Sequence, residues 1–238
     1  VGPIDPRLLR DSTTAKVSRL VYRGLYRVRG EDLGAEPDLA TDLVEDGDLR
    51  RCVAIEDGAS FHDGRPLRAG DVAFTIRSAM EPRNRSPIGG LYRDRFTRVD
   101  TPEGEDGDRV CFELRSPVAT LKTDLVLGIV PRGTTIDPGR DPVGAGPYRV
   151  HRRDGDRGVV LERVRPSEGS PRFAIFRTLP DENTRLLALL SGDGDLVFNG
   201  FSPPVVSLLE EAPEVRVLRH PSIAVTYLTL NTTRAPLH

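Results

Sequence analysis

The chain has 238 residues, enough to bury a sizeable core in one or two domains. Its 34 basic and 36 acidic residues leave a net charge of −2, which excludes the basic balance of a nucleic-acid or anionic-membrane binder. No apolar run is long enough to span a bilayer, and two cysteines are too few for a disulfide scaffold. All basic residues except Lys16 and Lys122 are arginines, a bias we attribute to base composition before function.

The N-terminus, Val1-Gly2-Pro3-Ile4-Asp5-Pro6, has neither the basic start nor the apolar core of a signal peptide. If the protein is exported, we expect its leader to have been removed or to lie outside this sequence. Residues 3–11 read as extended. Ser12-Thr13-Thr14 offers an N-cap for a helix over 15–26, with Val17, Leu20, Val21 and Leu25 on one face. Residues 27–34 read as a loop with short strands.

Asp46-Gly47-Asp48 turns into a strand over 51–55, with Val53 and Ile55 on one face and Cys52 and Ala54 on the other. Asp63-Gly64 is a turn pair, because Asp bonds its own backbone and Gly accepts positive φ. Pro66 then pins the approach to a helix over 69–80. There Asp71 meets the helix dipole in the first turn, and Val72, Ile76 and Ala79 form an apolar face.

Residues 81–90, rich in Pro, Asn, Ser and Gly, read as a loop. Strands are expected over 98–101 and 109–114, around an acidic hairpin at 103–108. A helix is expected from Pro117 to about residue 127. Further strands are expected over 148–152, 159–164, 173–178, 215–218 and 223–230. Asp181-Glu182-Asn183-Thr184 heads a helix carrying Leu186, Leu187, Leu189 and Leu190, and another covers 202–211.

Four ordered stretches carry a resemblance. Phe61-His62-Asp63-Gly64-Arg65-Pro66-Leu67, continuing through Ala69, Asp71-Val72 and Phe74-Thr75, meets every fixed position of the pattern F-H-D-G-x-P-L-x-A-x-D-V-x-F-[ST]. Pro142-Val143-Gly144-Ala145-Gly146-Pro147-Tyr148 follows P-[VI]-G-[TS]-G-P-[YF], with Ala145 at the hydroxyl position. Residues 188–196 resemble A-L-x-x-G-x-[IV]-D, with Gly194 at the β-branched position, and Asn231 to Pro236 resembles N-[TL]-x-x-x-P. Pro37-Asp38-Leu39-Ala40 is similar to a P-x-L-A segment after which a tryptophan is common; this chain has none. Together these resemble family 5 extracellular solute-binding proteins, the peptide- and nickel-binding receptors of ABC importers.

The resemblance implies a mixed α/β fold, lobe I of a two-lobed class II periplasmic-binding-protein fold, in two subdomains. One subdomain would hold 1–37 with 143–238; the other, 38–142, would be inserted in it. Family members are about twice this long, so a second lobe is expected outside this sequence. The implied function is noncovalent capture of a solute, such as a peptide, in the periplasm or outside the cell. The implied partner is a membrane permease, membrane association comes only through it or a lipid anchor, and no cofactor is expected. A sensory or regulatory module built on the same lobe is the alternative.

The resemblance places lobe I contacts at 8–11, 88–93 and 130–132. Tyr92 is the candidate aromatic wall, Arg132 the candidate guanidinium for a ligand carboxylate, and Leu9, Arg10 and Leu91 complete the set. Catalysis is not expected from Ser60, His62 and Asp63, because neighbours in sequence do not bring a base and nucleophile face to face. His62 lacks a ligand-type residue at i+3 or i+4 and is expected to be a hydrogen-bonded surface or half-buried histidine. Gly144-x-Gly146-Pro147 lacks the further Gly and Lys of a phosphate cradle and reads as a tight turn. Cys52 and Cys111 are expected as two free, half-buried thiols in preference to a bridge, since strand adjacency is only inferred and the distance test is strict. Asn231-x-Thr233 fits a glycosylation sequon of little meaning in a bacterial protein.

Overall fold

In the computed structural model, residues 2–29, 34–137, 142–164, 169–219, 230, 232, 233 and 235 are described. The chain divides into two compact units, Val1–Thr178 and Leu179–His238.

The first unit begins with a 3₁₀ turn, Pro6–Leu8, and helix α1, Ser12–Val21. The cap of α1 is Asp11, whose carboxylate accepts the Thr14 N–H at 2.8 Å and the Thr14 hydroxyl at 2.7 Å. The helix therefore starts earlier than the Ser-Thr-Thr run suggests. It also stops at Val21, before the expected residue 26, because the next backbone groups are taken elsewhere. The Arg23 carbonyl accepts the Ile129 N–H at 2.8 Å, and the Gly24 and Leu25 carbonyls accept from Leu39 at 3.1 Å and Asp38 at 2.9 Å. Tertiary pairing outweighs the helical periodicity that continued through Leu25.

Strands β1 (Tyr26–Arg29) and β2 (Gly34–Pro37) form an antiparallel pair. Strands β3 (Ala40–Glu45), β4 (Arg50–Ile55), β5 (Phe96–Asp100) and β6 (Arg109–Leu114) form an antiparallel sheet in the order β3-β4-β6-β5. Helix α2, Ala69–Met80, runs over the predicted residues and buries Val72, Ile76 and Ala79. These side chains join Phe96, Val110 and Phe112 in the larger core.

Helix α3, Gly89–Arg95, occupies a stretch expected to begin as a loop. A Cβ on Gly89 would lie 2.4 Å from the Ala79 carbonyl, so this glycine lets α3 start directly against the end of α2. The helix expected over 117–127 shrinks to α4, Leu121–Asp124. Beyond it the backbone is drawn into pairing: Tyr26 donates to the Leu125 carbonyl at 3.2 Å, and the Val130 N–H meets the Thr75 hydroxyl at 3.1 Å.

Cys52 lies directly opposite Cys111 in the β4–β6 register, with Cα atoms 4.1 Å apart, and the two form a disulfide. This corrects the expectation of free thiols. Facing positions on adjacent antiparallel strands bring the Cβ atoms within bridging reach, and both residues are buried, at 4% and 1% exposure.

A second sheet, β7 (Tyr148–Arg153), β8 (Gly158–Arg163) and β9 (Phe173–Arg177), is antiparallel in that order. Helix α1 packs beside it, and Val17, Val21, Tyr148, Val159 and Leu161 share a smaller core. The second unit contains α5 (Glu182–Leu190), capped by Asp181, and α6 (Pro203–Glu210). The expected strand at 215–218 is not formed. The expected strand at 223–230 and the residue Asn231 fall largely outside the described residues.

Candidate functional site

The Phe61-His62-Asp63-Gly64 corner is closed by backbone bonds. Phe61 donates to the Arg65 carbonyl at 2.9 Å and Gly64 to the Phe61 carbonyl at 3.0 Å, with Gly64 at φ +85°. Asp63 turns outward and pairs with Arg65 at 2.7 Å. Asp71 then caps α2: one carboxylate oxygen accepts the Arg68 N–H at 2.8 Å and the other accepts the Arg132 N–H at 2.7 Å.

His62 joins this corner to the Gly144-Ala145-Gly146 turn. The His62 backbone N–H donates to the Gly144 carbonyl at 2.8 Å. Its ring Nδ1 accepts from the Gly144 N–H at 3.3 Å, and Nε2–H donates to the Gly146 carbonyl at 2.9 Å. Both ring nitrogens are thus used by backbone, in the neutral tautomer. Burial lowers the imidazole pKa, with Arg149 adding to the effect and the Gly146 carbonyl and Asp63 opposing it. Ser60 forms a backbone bridge with Pro66.

The glycine turn is pressed against the end of α1. Gly146 donates to the Val21 carbonyl at 2.8 Å, and Cβ atoms on Gly144 and Gly146 would fall 2.0 Å from the Val21 oxygen and 2.4 Å from the Leu20 oxygen. Close backbone approach, with no phosphate cradle involved, accounts for both glycines.

These elements wall a cavity of about 1070 Å³ in the first unit. Its wall includes Leu9, Tyr22, Arg23, His62, Leu91 and Gly146. Arg23 sits in it as a half-buried hub. Its Nε donates to Asp38 Oδ1 at 2.8 Å, its Nη2 to the Asp38 carbonyl at 2.7 Å, and its Nη1 to Glu56 Oε1. Burial works against the guanidinium charge, but Glu56 and Asp38 outweigh it and hold the arginine's pKa above its ordinary value.

The residues proposed from sequence fall in different places. Leu9 and Leu91 line the cavity. Arg10 is exposed and outside the lining. Tyr92 is 0% exposed; its hydroxyl donates to the Asp124 carbonyl at 2.8 Å and its ring packs at a tilt against Phe96, with centroids 5.6 Å apart. Arg132 is exposed and pairs with Glu105 and Asp106, away from the cavity. Arg23, Tyr22 and Glu56 were not singled out in the sequence. The one signal for Glu56 was its position just before the Phe61 marker. Among the described residues no group of three His, Cys, Asp or Glu is placed to hold a metal ion.

The family model for bacterial extracellular solute-binding proteins, family 5 middle, matches residues 34–238. The chain belongs to this family. A glutathione-binding protein, GsiB, of Pectobacterium atrosepticum is 27% identical over 253 residues, covering 98% of this chain and 46% of that protein. The chain thus spans about half the length of the curated relatives it matches. The substrate-binding protein CtaP of an ABC transporter from Listeria monocytogenes superposes with a TM-score of 0.67 at 28% identity, over 81% of this chain and 41% of that one. A dipeptide-binding protein from Pseudoalteromonas sp. SM9913, solved with Met-Leu, superposes with a TM-score of 0.83 at 19% identity, over 100% of this chain and 53% of that one. That likeness gives the fold: a mixed α/β periplasmic-binding-protein architecture. The family is named for extracellular proteins, and no helix among the described residues is long and apolar enough to cross a membrane.

Proposed function

We propose that this chain is the first-lobe part of a receptor that captures a small peptide outside the cytoplasm and delivers it to an ABC permease. The observation that carries this reading is the 1070 Å³ cavity walled jointly by the two family motifs that His62 ties together. Large concave sites with a few fixed polar groups are the usual form of small-ligand sites. The names of two similar proteins, a glutathione-binding and a dipeptide-binding protein, favour a peptide as solute. Capture is noncovalent in this reading: His62 gives both ring nitrogens to backbone groups and Asp63 pairs with Arg65.

In this reading the residues 38–142, which hold the four-stranded sheet, form an inserted subdomain. Residues 1–37 and 143–238 form the main one. A second lobe closes over the solute by hinge motion. Leu9 and Leu91 contribute apolar wall, whereas Arg132, Arg10 and Tyr92 would reach solute only after rearrangement.

Isothermal calorimetry of this chain against a library of short peptides tests the reading. We expect measurable binding weaker than micromolar, because the opposite wall is lacking. Micromolar or tighter affinity would contradict the half-site; no binding in the millimolar range would contradict the peptide reading.

A further inference from the structure

The second unit holds a reactive pair that plays no part in solute capture. Asn199-Gly200 is the only Asn-Gly pair in the chain. Asn199 is exposed, and its φ of +48° lies in the left-handed region that asparagine tolerates better than most residues. The peptide group joining the two residues is free on both sides. Among the described residues the Asn199 carbonyl accepts no hydrogen bond, the Gly200 N–H donates none, and the Asn199 side-chain amide has no partner. The backbone just beyond is held. The Gly200 carbonyl accepts from Arg185 Nε at 3.0 Å and from its Nη2 at 2.7 Å, while Arg185 Nη1 donates to the Leu179 carbonyl at 2.7 Å. The Ser202 N–H donates to the Glu182 carboxylate. One unbonded peptide plane thus sits beside a pinned one, and turning it breaks no hydrogen bond.

The other described asparagines differ. Asn84 donates its side-chain amide to the Ser78 carbonyl at 2.7 Å, and the N–H that follows it, on Arg85, donates to the Pro82 carbonyl at 3.1 Å. After Asn183 the Thr184 N–H is taken by Asp181 Oδ1 at 2.7 Å, in the cap of α5. In both, the nitrogen that would attack the preceding side chain is engaged. After Asn199 it is free, and glycine brings no Cβ to obstruct the approach.

We propose that Asn199 is a site of spontaneous deamidation in the folded protein. The Gly200 nitrogen attacks Asn199 Cγ and gives its proton to solvent base. The Cγ–N bond of the side chain breaks, ammonia leaves, and a succinimide ring is closed. Water then opens the ring at either carbonyl, giving aspartate or a β-linked isoaspartate with no change of oxidation state. Either product adds a negative charge. The β-linked form also inserts a carbon into the main chain ahead of Gly200, which displaces the carbonyl that Arg185 grips. Nothing in this chemistry depends on the solute or on the cavity.

The test is incubation of the full chain at mildly alkaline pH, folded and in denaturing urea, followed by proteolytic peptide mapping with mass spectrometry. In the folded chain Asn199 is expected to lose ammonia at least about tenfold faster than Asn84 or Asn183, whose following N–H groups are bonded. Its folded rate is expected to lie within about fivefold of its rate in urea, because no hydrogen bond holds the reacting peptide. A folded rate at Asn199 no greater than those of Asn84 and Asn183 overturns the proposal. So does a folded rate more than about fivefold below that in urea, which would mean that the fold locks the peptide plane. Both comparisons use the unaltered chain, so no variant has to fold. Asn199→Gln, whose longer arm would have to close a larger ring, should silence the peptide; a mass gain that persists there overturns the assignment to Asn199.

Discussion

The first unit, Val1–Thr178, and the second, Leu179–His238, spend their apolar residues differently. The first buries Phe96, Val110 and Phe112 under α2, and Val17, Val21 and Leu161 between α1 and its sheet. In the second, α5 buries none of its residues, and Leu187 and Leu196 are 66% and 82% exposed. Only Leu209 of α6 is buried among that unit's described residues. The lesson is that amphipathic spacing can set a helix whose described residues bury little, and the described core is concentrated in the first unit.

Paired truncations test that contrast most directly. Phe112→Ala, at a fully buried position, is expected to cost about 3–5 kcal/mol in a chemical-denaturation experiment. Leu187→Ala should change stability by no more than about 0.5 kcal/mol. Comparable losses at the two sites would erase the distinction between the units.

The disulfide sharpens the same contrast, since it closes a segment with a sequence separation of 59 wholly inside the first unit. Reduction, or the Cys52→Ser/Cys111→Ser pair, should lower stability by about 2–4 kcal/mol, read as a lower melting temperature for that unit's transition. An unchanged transition under reductant would mean the sheet needs no crosslink.

The smallest effect concerns His62. Its folded-state pKa lies below the ordinary 6.5, so the unfolded chain takes up the proton first. The stabilising share of His62 is therefore complete above about pH 6.5 and declines as pH falls through the lowered value. His62→Ala should cost about 1–2 kcal/mol at neutral pH through the lost backbone contacts, and should remove this part of the acid sensitivity. A variant with an unaltered stability-versus-pH profile would exclude the clamp.

Much of the fold was legible because some stretches carry their own instructions. The corner at Asp63-Gly64 and the face Val72, Ile76, Ala79 give α2 its observed bounds, Ala69–Met80. Strand β6, Arg109–Leu114, follows from the alternation of Val110, Phe112 and Leu114. Less legible were elements fixed by distant partners. α1 ends early because residues 38, 39 and 129 claim its next carbonyls, and α3 begins at glycines that look like loop until the Ala79 carbonyl beneath them is known. The cysteine pair needed the β4–β6 register, which spans the helices α2 and α3 and the strand β5.

The site divides in the same way. Leu9 and Leu91 on the wall were within reach of motif reasoning. The Arg23, Asp38 and Glu56 cluster was not, because it joins three separate segments through contacts 15 and 33 residues apart in sequence. Tyr92 offers no sequence sign that its ring would be enclosed by Phe96 and its hydroxyl taken by Asp124.

Arg7 shows what the segment before α1 does for the fold. Its side chain is wholly enclosed, gripped by Asp5 and donating to the Ser78 hydroxyl at 2.9 Å and the Thr134 carbonyl at 3.1 Å. It acts as a rivet driven from the Pro6–Leu8 turn through to the far turn of α2. Replacing Asp5 with an uncharged residue would strand an ion inside the protein and loosen the helix on which the marker corner is mounted.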